Sequence, residues 1–586
     1  MAAFVAQNIA PIMFVGLVFF LLLGFPVAFA LAACGLFFGF IGIELGLLPA
    51  TLFQAIPIRL LGIMQNDTLL AVPFFTFMGL ILERSGMAED LLDTVGQVFG
   101  PVRGGLAFAV VLVGAMLAAT TGVVAASVIS MGLISLPIML RYGYDRRLSS
   151  GVIAASGTLA QIIPPSLVLI VIADQLGRSV GDLYRGAFIP GFVLTGLYCL
   201  YVGLVAIFRP QFAPALPTEA RTYREADSTS GMRSLGVLVL ISIAMSVVFE
   251  HWYTGHYPEA GTEELVILSM MASIGLAFVL ALLNRALRLN MLSRIAERVT
   301  FVLIPPLALI FLVLGTIFLG IATPTEGGAM GAVGALIMAL SRRRLSWSLL
   351  KQAMDTTAKL STFVLFILVG ATIFNLAFQS VDGSRWVEHL LADLPGGKIG
   401  FLIVVNLLVF FLAFFLDFFE LAFIIVPLLA PVAAKLDINL IWFGVLLAVN
   451  MQTSFMHPPF GFALFYLRSV APMNDYIDKV TAKRIAPVTT GQIYWGAVPF
   501  VCIQVIMVAL VIAFPGLVTS GLGTEAPVDL DKVRIEIPAS ESAPVDASKG
   551  FGEPAEPSPA AGADDKADQP EDPNEAILRS LRNAKK

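Results

Sequence analysis

The sequence contains little charge, little cysteine and little histidine. Charged residues make up 13% of its 586 positions, against about 25% in ordinary soluble domains. It has three cysteines and four histidines. These shortages exclude a nucleic-acid-binding chain, a disordered chain and a disulfide-stabilised secreted domain. The sequence also lacks the H-E-x-x-H, G-x-S-x-G and P-loop motifs and any Cys/His metal-binding spacing, so we expect neither an enzyme, nor an ATP-driven pump, nor a bound cofactor.

The residues that are present are mostly hydrophobic, at 58% of the chain with a mean hydropathy of +0.88. A helix needs about 20 mostly apolar residues to cross a bilayer. Runs of that kind lie at about 5–23, 25–43, 67–83, 148–173, 186–208, 235–250, 264–283, 299–321, 324–340, 361–379, 440–470 and 491–515. Two longer runs, 105–140 and 399–434, carry polar residues in the middle and predict re-entrant hairpins. We therefore expect an all-α polytopic membrane protein with about twelve transmembrane helices and two re-entrant hairpins.

The distribution of Lys and Arg between loops predicts the orientation in the membrane. One set of alternate loops holds 22 basic residues and the opposite set holds 6, so the first set is cytoplasmic. The first run has no basic n-region and no cleavage site, which favours a membrane anchor over a signal peptide. Both termini are then predicted to lie outside, in the periplasm, provided that both long runs are hairpins.

The two halves of the sequence resemble each other weakly. Pro137 precedes Pro164 by 27 positions, and Pro431 precedes Pro458 by the same number, with Pro-Pro pairs at the end of both segments. The loop charges place the two copies in opposite orientations. This pattern is typical of inverted-repeat secondary transporters, whose binding site lies near the membrane midplane between the repeats.

The predicted organisation has four parts. Residues 1–208 form the first inverted repeat with hairpin 105–140, and 209–298 form a linker with an extra helix pair at 235–250 and 264–283. Residues 299–515 form the second repeat with hairpin 399–434. Residues 516–586 hold 14 acids and 8 bases, whereas the rest of the chain holds 27 and 28. Their Ala-, Pro- and Glu-rich composition predicts a disordered acidic tail.

Polar residues and prolines interrupt the membrane segments at two hairpin tips and two helix breaks. The candidate binding residues of the first tip and break are Thr120, Thr121, Gly122, Ser156, Gly157, Thr158, Gln161, Pro164 and Pro165. Those of the second are Asp417, Asn450, Gln452, Thr453, Ser454, His457, Pro458 and Pro459. Broken helices survive in a bilayer only where they line protein or a water-filled cavity. Their oxygens suit Na⁺ at each of the two pairs, and the freed helix N-termini suit the carboxylate of an anionic substrate.

Acidic residues within membrane segments are functional candidates, and Asp67, Glu326, Asp417 and Glu420 qualify. Asp417 is a candidate ion ligand, the alternative being a hydrogen bond that caps the hairpin turn. Glu326 follows Thr323 at the spacing of a helix capping box, which favours a structural role with support of an ion site as the alternative. Asp67 is expected mainly to cap the helix that follows it.

Several segments resemble the large membrane subunit of the TRAP (tripartite ATP-independent periplasmic) transporters. They are L-L-A-V-P-F-F-T-F-M-G from Leu69, R-G-G-L-A from Arg103, A-S-G-T-L-A-Q-I-I-P-P-S from Ala155, G-D-L-Y-R-G-A-F-I-P-G from Gly181, T-P-T-E from Thr323, F-L-D from Phe415 and N-M-Q-T-S-F-M-H-P-P-F-G from Asn450. The resemblance covers about 5–515 except for one insertion.

The resemblance implies an elevator-type, Na⁺-coupled importer in the bacterial inner membrane. Its implied partners are a small four-helix membrane subunit, a periplasmic substrate-binding protein and a small organic acid such as a dicarboxylate, 2-oxoacid or sialic acid. A stand-alone anion symporter or a Na⁺/H⁺ antiporter of similar fold is the alternative; a membrane scaffold or an intramembrane enzyme is disfavoured.

Three features depart from the family pattern. The first hairpin tip usually reads S-G-S with an acid four residues later, whereas here it is Thr121-Gly122-Val123 with Ser127. His457 replaces a threonine before the second Pro-Pro pair; it is a candidate for titration or substrate contact, although a buried structural imidazole is favoured. The third departure is the extra helix pair at 235–250 and 264–283. Together these resemble a branch linked to 2-oxoacid, mannitol or chloroaromatic uptake.

Overall fold

The computed structural model describes residues 2–122, 124–220, 231–257, 262–288, 291–392, 394–478 and 480–522, without the side chains of residues 2, 3, 22, 120, 121 and 262–264. The predicted acidic tail lies outside this part from residue 523 on. Its first residues instead form a short helix, Gly516–Thr519, in which Val518 is buried.

The first half of the chain is helical. Its α-helices are α1 (Ala2–Gln7), α2 (Ile9–Leu22), α3 (Val27–Glu44), α4 (Ile56–Met64), α5 (Ala71–Arg84), α6 (Met87–Phe99), α7 (Gly105–Thr121), α8 (Val124–Arg141), α9 (Arg146–Thr158), α10 (Leu167–Leu176) and α11 (Val180–Phe208). Short 3₁₀ helices lie at Leu52–Ala55, Asp67–Leu70, Leu159–Gln161, Pro210–Phe212 and Thr218–Ala220.

The second half repeats this arrangement after an inserted helix pair, α12 (Met232–His256) and α13 (Thr262–Leu287). The helices that follow are α14 (Arg294–Phe318), α15 (Pro324–Ser341), α16 (Trp347–Ser380), α17 (Gly383–Ala392), α18 (Gly397–Leu412), α19 (Phe418–Lys435), α20 (Leu440–Met451), α21 (Phe462–Val470), α22 (Thr490–Ala513) and α23 (Gly516–Thr519). A 3₁₀ helix spans Gln452–Phe455, and strands β1 (Tyr476–Ile477) and β2 (Arg484–Ile485) pair antiparallel.

The structure confirms the predicted all-α polytopic class. In the described residues, nine helices are long and apolar enough to cross a membrane, or up to eleven if two bent pairs each count as one span. The nine include α8 and α19, the second arms of the two hairpins. Two predicted spans, 148–173 and 440–470, are each built from two shorter helices separated by a 3₁₀ turn.

Some segments expected as loops are helical instead. Helix α6 fills most of 84–104, α17 lies within 381–398, and the first turns of α16 occupy 347–359. Helix α6 exposes Asp93 and buries Leu91, Leu92 and Val95 against the rest of the protein. Its apolar residues follow the helical period, but the apolar stretch is too short to cross a membrane.

The two halves correspond in register. Helices α8 and α19 have 18 residues each. Their first residues, and likewise their last residues, are separated by the same number of positions as Pro164 and Pro458. Helix α3 packs against α16, and α15 packs against α5. Helices α8 and α10 of the first copy pack against α21 and α19 of the second, in the same reciprocal way. Reciprocal pairing of equivalent elements is the contact pattern of a two-fold relation, so the repeats are related by a pseudo-two-fold axis.

Candidate functional site

The first helix break follows α9. Residues 159–161 tighten into a 3₁₀ turn, the Pro164–Pro165 peptide bond is cis, and α10 then begins at Leu167. Ser166 caps α10, because its hydroxyl oxygen accepts a hydrogen bond from the Leu169 amide at 3.4 Å. The same hydroxyl donates a hydrogen bond to the Gln161 carbonyl, which links the two ends of the break.

The second break repeats this construction. A 3₁₀ turn over residues 452–455 follows α20, the Pro458–Pro459 bond is cis, and α21 starts after Gly461. Asn450 donates to the backbone carbonyl of Asn406 at 2.7 Å and to its side-chain oxygen at 3.0 Å, which fastens the break to the first arm of the hairpin. Thr453 donates to the Asn450 carbonyl at 2.7 Å.

The two breaks touch each other through equivalent residues. The Gln452 Nε2 donates to Thr158 Oγ1 at 3.1 Å, and these residues are 294 positions apart, the separation that also relates the two Pro-Pro pairs. Equivalent residues of two copies meet only near the axis that relates them. The pseudo-two-fold axis therefore passes between Thr158 and Gln452, and the two breaks form one central cluster.

Several polar atoms in this cluster are buried without a hydrogen-bond partner. They are Nε2 and Oε1 of Gln161, Oε1 of Gln452, Oγ of Ser454 and both ring nitrogens of His457. The four residues are at most 3% exposed. Leaving such a group unpaired costs about 1–3 kcal/mol, and native proteins rarely do so. The cluster is therefore suited to a polar ligand, an ion or water.

His457 lies between two aromatic rings. Its imidazole stacks on Phe414 at 4.1 Å between centroids and meets the edge of Phe410 at 4.4 Å. The Ala413 carbonyl is nearby, but neither ring nitrogen reaches hydrogen-bond geometry. The histidine is buried as expected, whereas its polar atoms are not satisfied by the protein.

The first hairpin tip packs against the break of its own repeat. Gly122 ends α7 with φ +57°, and a Cβ added there would lie 3.2 Å from Leu167 Cγ and 3.7 Å from the Pro165 carbonyl oxygen. The side chains of Thr120 and Thr121 lie outside the described residues. Ser156 and Gly157 serve packing here, since the Ser156 hydroxyl donates to its own helix at 2.6 Å and a Cβ at 157 would meet Val128 at 2.4 Å.

Asp417 caps the second arm of the second hairpin. Its Oδ1 accepts from the Glu420 amide at 3.0 Å, and Glu420 Oε2 accepts from the Asp417 amide at 3.0 Å. This is a complete capping box, the structural alternative considered for Asp417. The cap places two carboxylates side by side at the hairpin tip, which leaves an ion-binding role compatible with the geometry.

The remaining candidates lie away from the central cluster. Thr323 and Glu326 form the expected capping box at the exposed start of α15. Asp67 does not cap the following helix; its neighbour Asn66 does, by accepting from the Thr68 amide at 3.0 Å, because the helix starts one residue earlier than expected. Asp67 instead offers its backbone carbonyl to the Thr325 hydroxyl at 2.6 Å.

Sequence reasoning missed two buried polar residues near the cluster. Asn406 holds Asn450, and Gln504 donates to the Tyr198 hydroxyl at 3.0 Å. Each is an isolated polar residue within the apolar stretch of its helix, and that isolation was the available signal. In the described residues, no three His, Cys, Asp or Glu side chains are grouped closely enough to hold a metal ion.

A pair of broken helices meeting on a pseudo-two-fold axis, each beside a helical hairpin in a polytopic membrane protein, is the architecture of a secondary transporter. The family described as "Tripartite ATP-independent periplasmic transporter, DctM component" matches residues 14–293 and 265–517. The chain belongs to this family, the large permease component of TRAP transporters. The two matches overlap over most of α13, within the inserted pair.

Several relatives of this chain are named as TRAP permeases for C4-dicarboxylates or isethionate. The chain is 26% identical to the C4-dicarboxylate TRAP transporter large permease protein DctM of Pseudomonas aeruginosa, over 72% of this chain and 81% of the relative. It is 26% identical to the protein of the same name from Vibrio cholerae, over 79% of this chain and 89% of the relative. It is 24% identical to the isethionate TRAP transporter permease protein DctMQ of Oleidesulfovibrio alaskensis, over 81% and 63%. Among solved structures, the YdaH transporter of Alcanivorax borkumensis has a TM-score of 0.45 and 17% identity, covering 80% of this chain and 90% of YdaH.

Proposed function

We propose that this TRAP permease imports an organic acid anion together with Na⁺, and that its hairpin-bearing part moves across the membrane as an elevator. The observation that carries the proposal is the cluster of buried, unpartnered polar atoms where the two breaks meet on the pseudo-two-fold axis.

The donor set favours Na⁺ as the transported ion. Unpartnered oxygens come from Gln161, Gln452 and Ser454, and a hard cation takes oxygen ligands. Sodium is cargo here rather than a resident cofactor. We place one ion at each hairpin and break, because the two halves repeat the same construction. The Asp417 carboxylate contributes negative charge to the second of these sites.

The helix N-termini that follow the two breaks suit an organic acid anion. Helices α10 and α21 begin directly after the two breaks, and the N-terminus of a helix favours negative charge. The relatives are named for dicarboxylates and isethionate, which are acid anions. We infer the same chemical class for this chain.

The packing of the elements supports a proposed movement of one group of helices against the rest. Hairpin helices α8 and α19 contact the broken helices of the opposite copy, so hairpins and breaks form one interlocked group. We propose that this group carries the cargo past the other helices. We also propose a periplasmic substrate-binding protein and a small membrane subunit as partners, an inner-membrane location, and both termini in the periplasm.

Sodium binding can be tested on the purified full chain by thermal unfolding. Raising NaCl at constant ionic strength, with KCl as the balancing salt, is expected to raise the Tm in a saturable way, because only the folded chain holds the sites. Gln452→Leu is expected to weaken this response. A Tm that responds equally to NaCl and KCl would contradict sodium coupling.

A further inference from the structure

Two polar contacts join the hairpin-bearing group to the other helices at one end of the molecule. The Asn66 Nδ2 donates a hydrogen bond to Asp174 Oδ1 at 2.6 Å. The Arg185 Nη2 donates a hydrogen bond to the backbone carbonyl of Phe318. Residues 66, 174 and 185 lie in or beside loops of the set with few basic residues, which the loop charges predict to face the periplasm.

Asp174 and Arg185 belong to the group of helices that we propose to move. Asp174 lies in the last turn of α10, which follows the first break and packs against α19 of the second hairpin. Arg185 lies near the start of α11, and α11 packs against α10, α20 and α22. Because α10 and α20 flank the two breaks, both side chains are expected to move with the breaks.

Asn66 and Phe318 belong to the helices on the other side of these contacts. The Asn66 Oδ1 accepts from the Thr68 amide at 3.0 Å, which caps the 3₁₀ helix before α5. The neighbouring Asp67 carbonyl accepts from the Thr325 hydroxyl at the start of α15. Phe318 ends α14, and α15 packs against both α14 and α5. The packing of α5, α14 and α15 therefore holds Asn66 and the Phe318 carbonyl in place.

The position of Asp174 is unfavourable for its own helix. The C-terminal end of a helix carries partial negative charge, so a carboxylate in the last turn is repelled. The Asp174 carboxylate accepts hydrogen bonds from Asn66 through Oδ1 and from Gln175 through Oδ2, the latter at 2.8 Å. Hydrogen bonds to a charged oxygen are stronger than those between neutral groups. The contact with Asn66 therefore explains this acid better than the local needs of α10 do.

The Arg185 contact is favourable for the helix that accepts it. Phe318 is the last residue of α14, and the last carbonyls of a helix have no partner within that helix. A guanidinium group at this position satisfies one of them and meets the negative end of the helix dipole. The Phe188 and Phe318 rings also meet edge to face, with their centroids 6.3 Å apart. One turn of α11 thus makes both a polar and an aromatic contact with the end of α14.

The second copy does not repeat the Asp174 contact at the opposite end of the molecule. The offset of 294 positions that relates the two breaks makes Arg468 the equivalent of Asp174. Arg468 donates to the Val488 carbonyl at 2.6 Å, in the segment between α21 and α22. Helix α22 packs against α9 and α20, so Arg468 binds within the hairpin-bearing group. The contact of Asp174 therefore favours one end position of this group over the opposite one.

We propose that the contacts Asn66–Asp174 and Arg185–Phe318, together called the periplasmic latch, hold the hairpin-bearing group in one end position and must open in each transport cycle. This inference rests on the proposed elevator movement. Both contacts are formed in this structure, so it shows the latched position. Asn66 and Asp174 are only half-buried, so water can replace each as a partner when the latch opens.

The first experiment cross-links the latch. Asn66→Cys/Asp174→Cys is treated with a short bis-methanethiosulfonate reagent, and uptake is measured in proteoliposomes with the small subunit and the binding protein. Cross-linking should lower uptake about tenfold or more, because the group is confined to one position, and a reductant should restore it. Each single-cysteine variant controls for reaction at the natural cysteines. Phe278→Cys/Phe301→Cys, whose rings are 5.7 Å apart on α13 and α14, is the cross-linked control that should keep its uptake.

The second experiment measures the latched fraction without transport. The reporter is rapid cross-linking of Phe188→Cys/Phe318→Cys by the same reagent, with neither substrate nor a Na⁺ gradient. Asp174→Ala removes the acceptor together with an unfavourable charge from α10, so it should fold like wild type and lower the latched fraction about twofold or more. Asn66→Asp keeps a capping oxygen but opposes two carboxylates, and should act likewise. Arg178→Gln removes an exposed charge from the same loop and should leave the fraction unchanged.

Two outcomes would overturn the latch. Undiminished uptake by cross-linked Asn66→Cys/Asp174→Cys would show that the contact need not open. A latched fraction that is equal in Asp174→Ala and Arg178→Gln would show that the contact does not hold the group. A latched fraction that falls in Asp174→Ala, together with uptake that ignores the Na⁺ gradient, would support the latch while contradicting the proposed sodium coupling.

Discussion

Gln161 is buried with neither side-chain amide atom paired, so its effects on stability and on transport can be separated. We expect Gln161→Leu to keep or raise the free energy of unfolding by about 1–2 kcal/mol, since an unpaired buried amide is removed. We expect Na⁺-dependent uptake to fall about tenfold or more, since a cargo ligand is lost. Chemical unfolding and proteoliposome uptake measure the two effects.

The matched control for this variant is Gln504→Leu. Gln504 is also a buried glutamine in an apolar helix; its Oε1 has no partner, but its Nε2 donates to Tyr198, so the loss of this hydrogen bond should destabilise the protein by about 1 kcal/mol. Gln161→Leu with wild-type uptake would remove Gln161 from the cargo site.

Asp417 combines a capping role with a charge, and two substitutions separate them. Asp417→Asn keeps an oxygen that accepts from the Glu420 amide, so we expect the Tm to stay within a few degrees of wild type. Uptake should fall because the charge is gone. Asp417→Ala should also lose about 1 kcal/mol of stability. The control is Thr489→Ala, which removes the N-cap of α22 and is expected to leave uptake unchanged. Wild-type uptake by Asp417→Asn would make Asp417 purely structural.

The roles of individual residues were predictable where sequence spacing alone defines the role, as for the capping box of Thr323 and Glu326. The cap of the 3₁₀ helix Asp67–Leu70 was expected one residue too late, at Asp67, because Asn66 and Asp67 are both good capping residues. The contact between Thr158 and Gln452 was not predictable, because it depends on how two distant segments fold together rather than on local pattern.

At the scale of elements, the contact between the first hairpin tip and its break can be tested with a matched glycine pair. Gly122 and Gly177 both have positive φ, at +57° and +60°, but a Cβ at Gly122 meets Leu167 whereas one at Gly177 meets nothing within 4 Å. Both alanine variants should lose about 1 kcal/mol of stability through backbone strain. Only Gly122→Ala should reduce uptake. Equal uptake in the two variants would show that the tip contact is not needed for transport.

The segment between α21 and α22 is held to α8 by an ion pair. Arg141 Nε lies 2.9 Å from Asp478 Oδ1, and Asp478 Oδ2 accepts from the Thr481 amide and hydroxyl at 2.7 and 2.8 Å. Burial works to raise the pKa of Asp478, but these hydrogen bonds and the Arg141 charge outweigh it and lower the pKa to about 2.

Because the pKa of Asp478 is depressed on folding, its contribution is present above its ordinary pKa and is lost as pH falls toward 2. We expect Asp478→Asn to cost about 1–2 kcal/mol at pH 7. The difference in Tm between this variant and wild type should shrink by pH 3. A difference that is independent of pH would show that the Asp478 charge is not what stabilises the segment.

Element prediction succeeded where apolar runs were long and prolines marked the interruptions. The hairpin predicted at 399–434 begins at Gly397 and ends at Lys435 in the structure, because its apolar arms and the polar tip at Asp417 are both local features. Helices such as α6 and α17 were predicted as loops because their charged faces lower the mean hydropathy that defines a span, although their apolar stripes are periodic.

At the scale of the whole molecule, the repeated proline spacing predicts two copies, and the loop charges predict that these copies have opposite orientations in the membrane. The reciprocal packing of α3 with α16 and of α15 with α5 then shows the two-fold relation in three dimensions. The position of its axis at Thr158 and Gln452 joins the two breaks into one cluster, and the proposed transport cycle depends on that cluster.

Uptake of the organic acid into proteoliposomes is the most direct test of coupled transport. The full chain is reconstituted with its small membrane subunit and supplied with substrate-loaded binding protein. An inward Na⁺ gradient should drive accumulation, and an equal K⁺ gradient or the omission of the binding protein should abolish it. Uptake that is indifferent to the Na⁺ gradient, or that proceeds without the binding protein, would contradict a Na⁺-coupled TRAP importer.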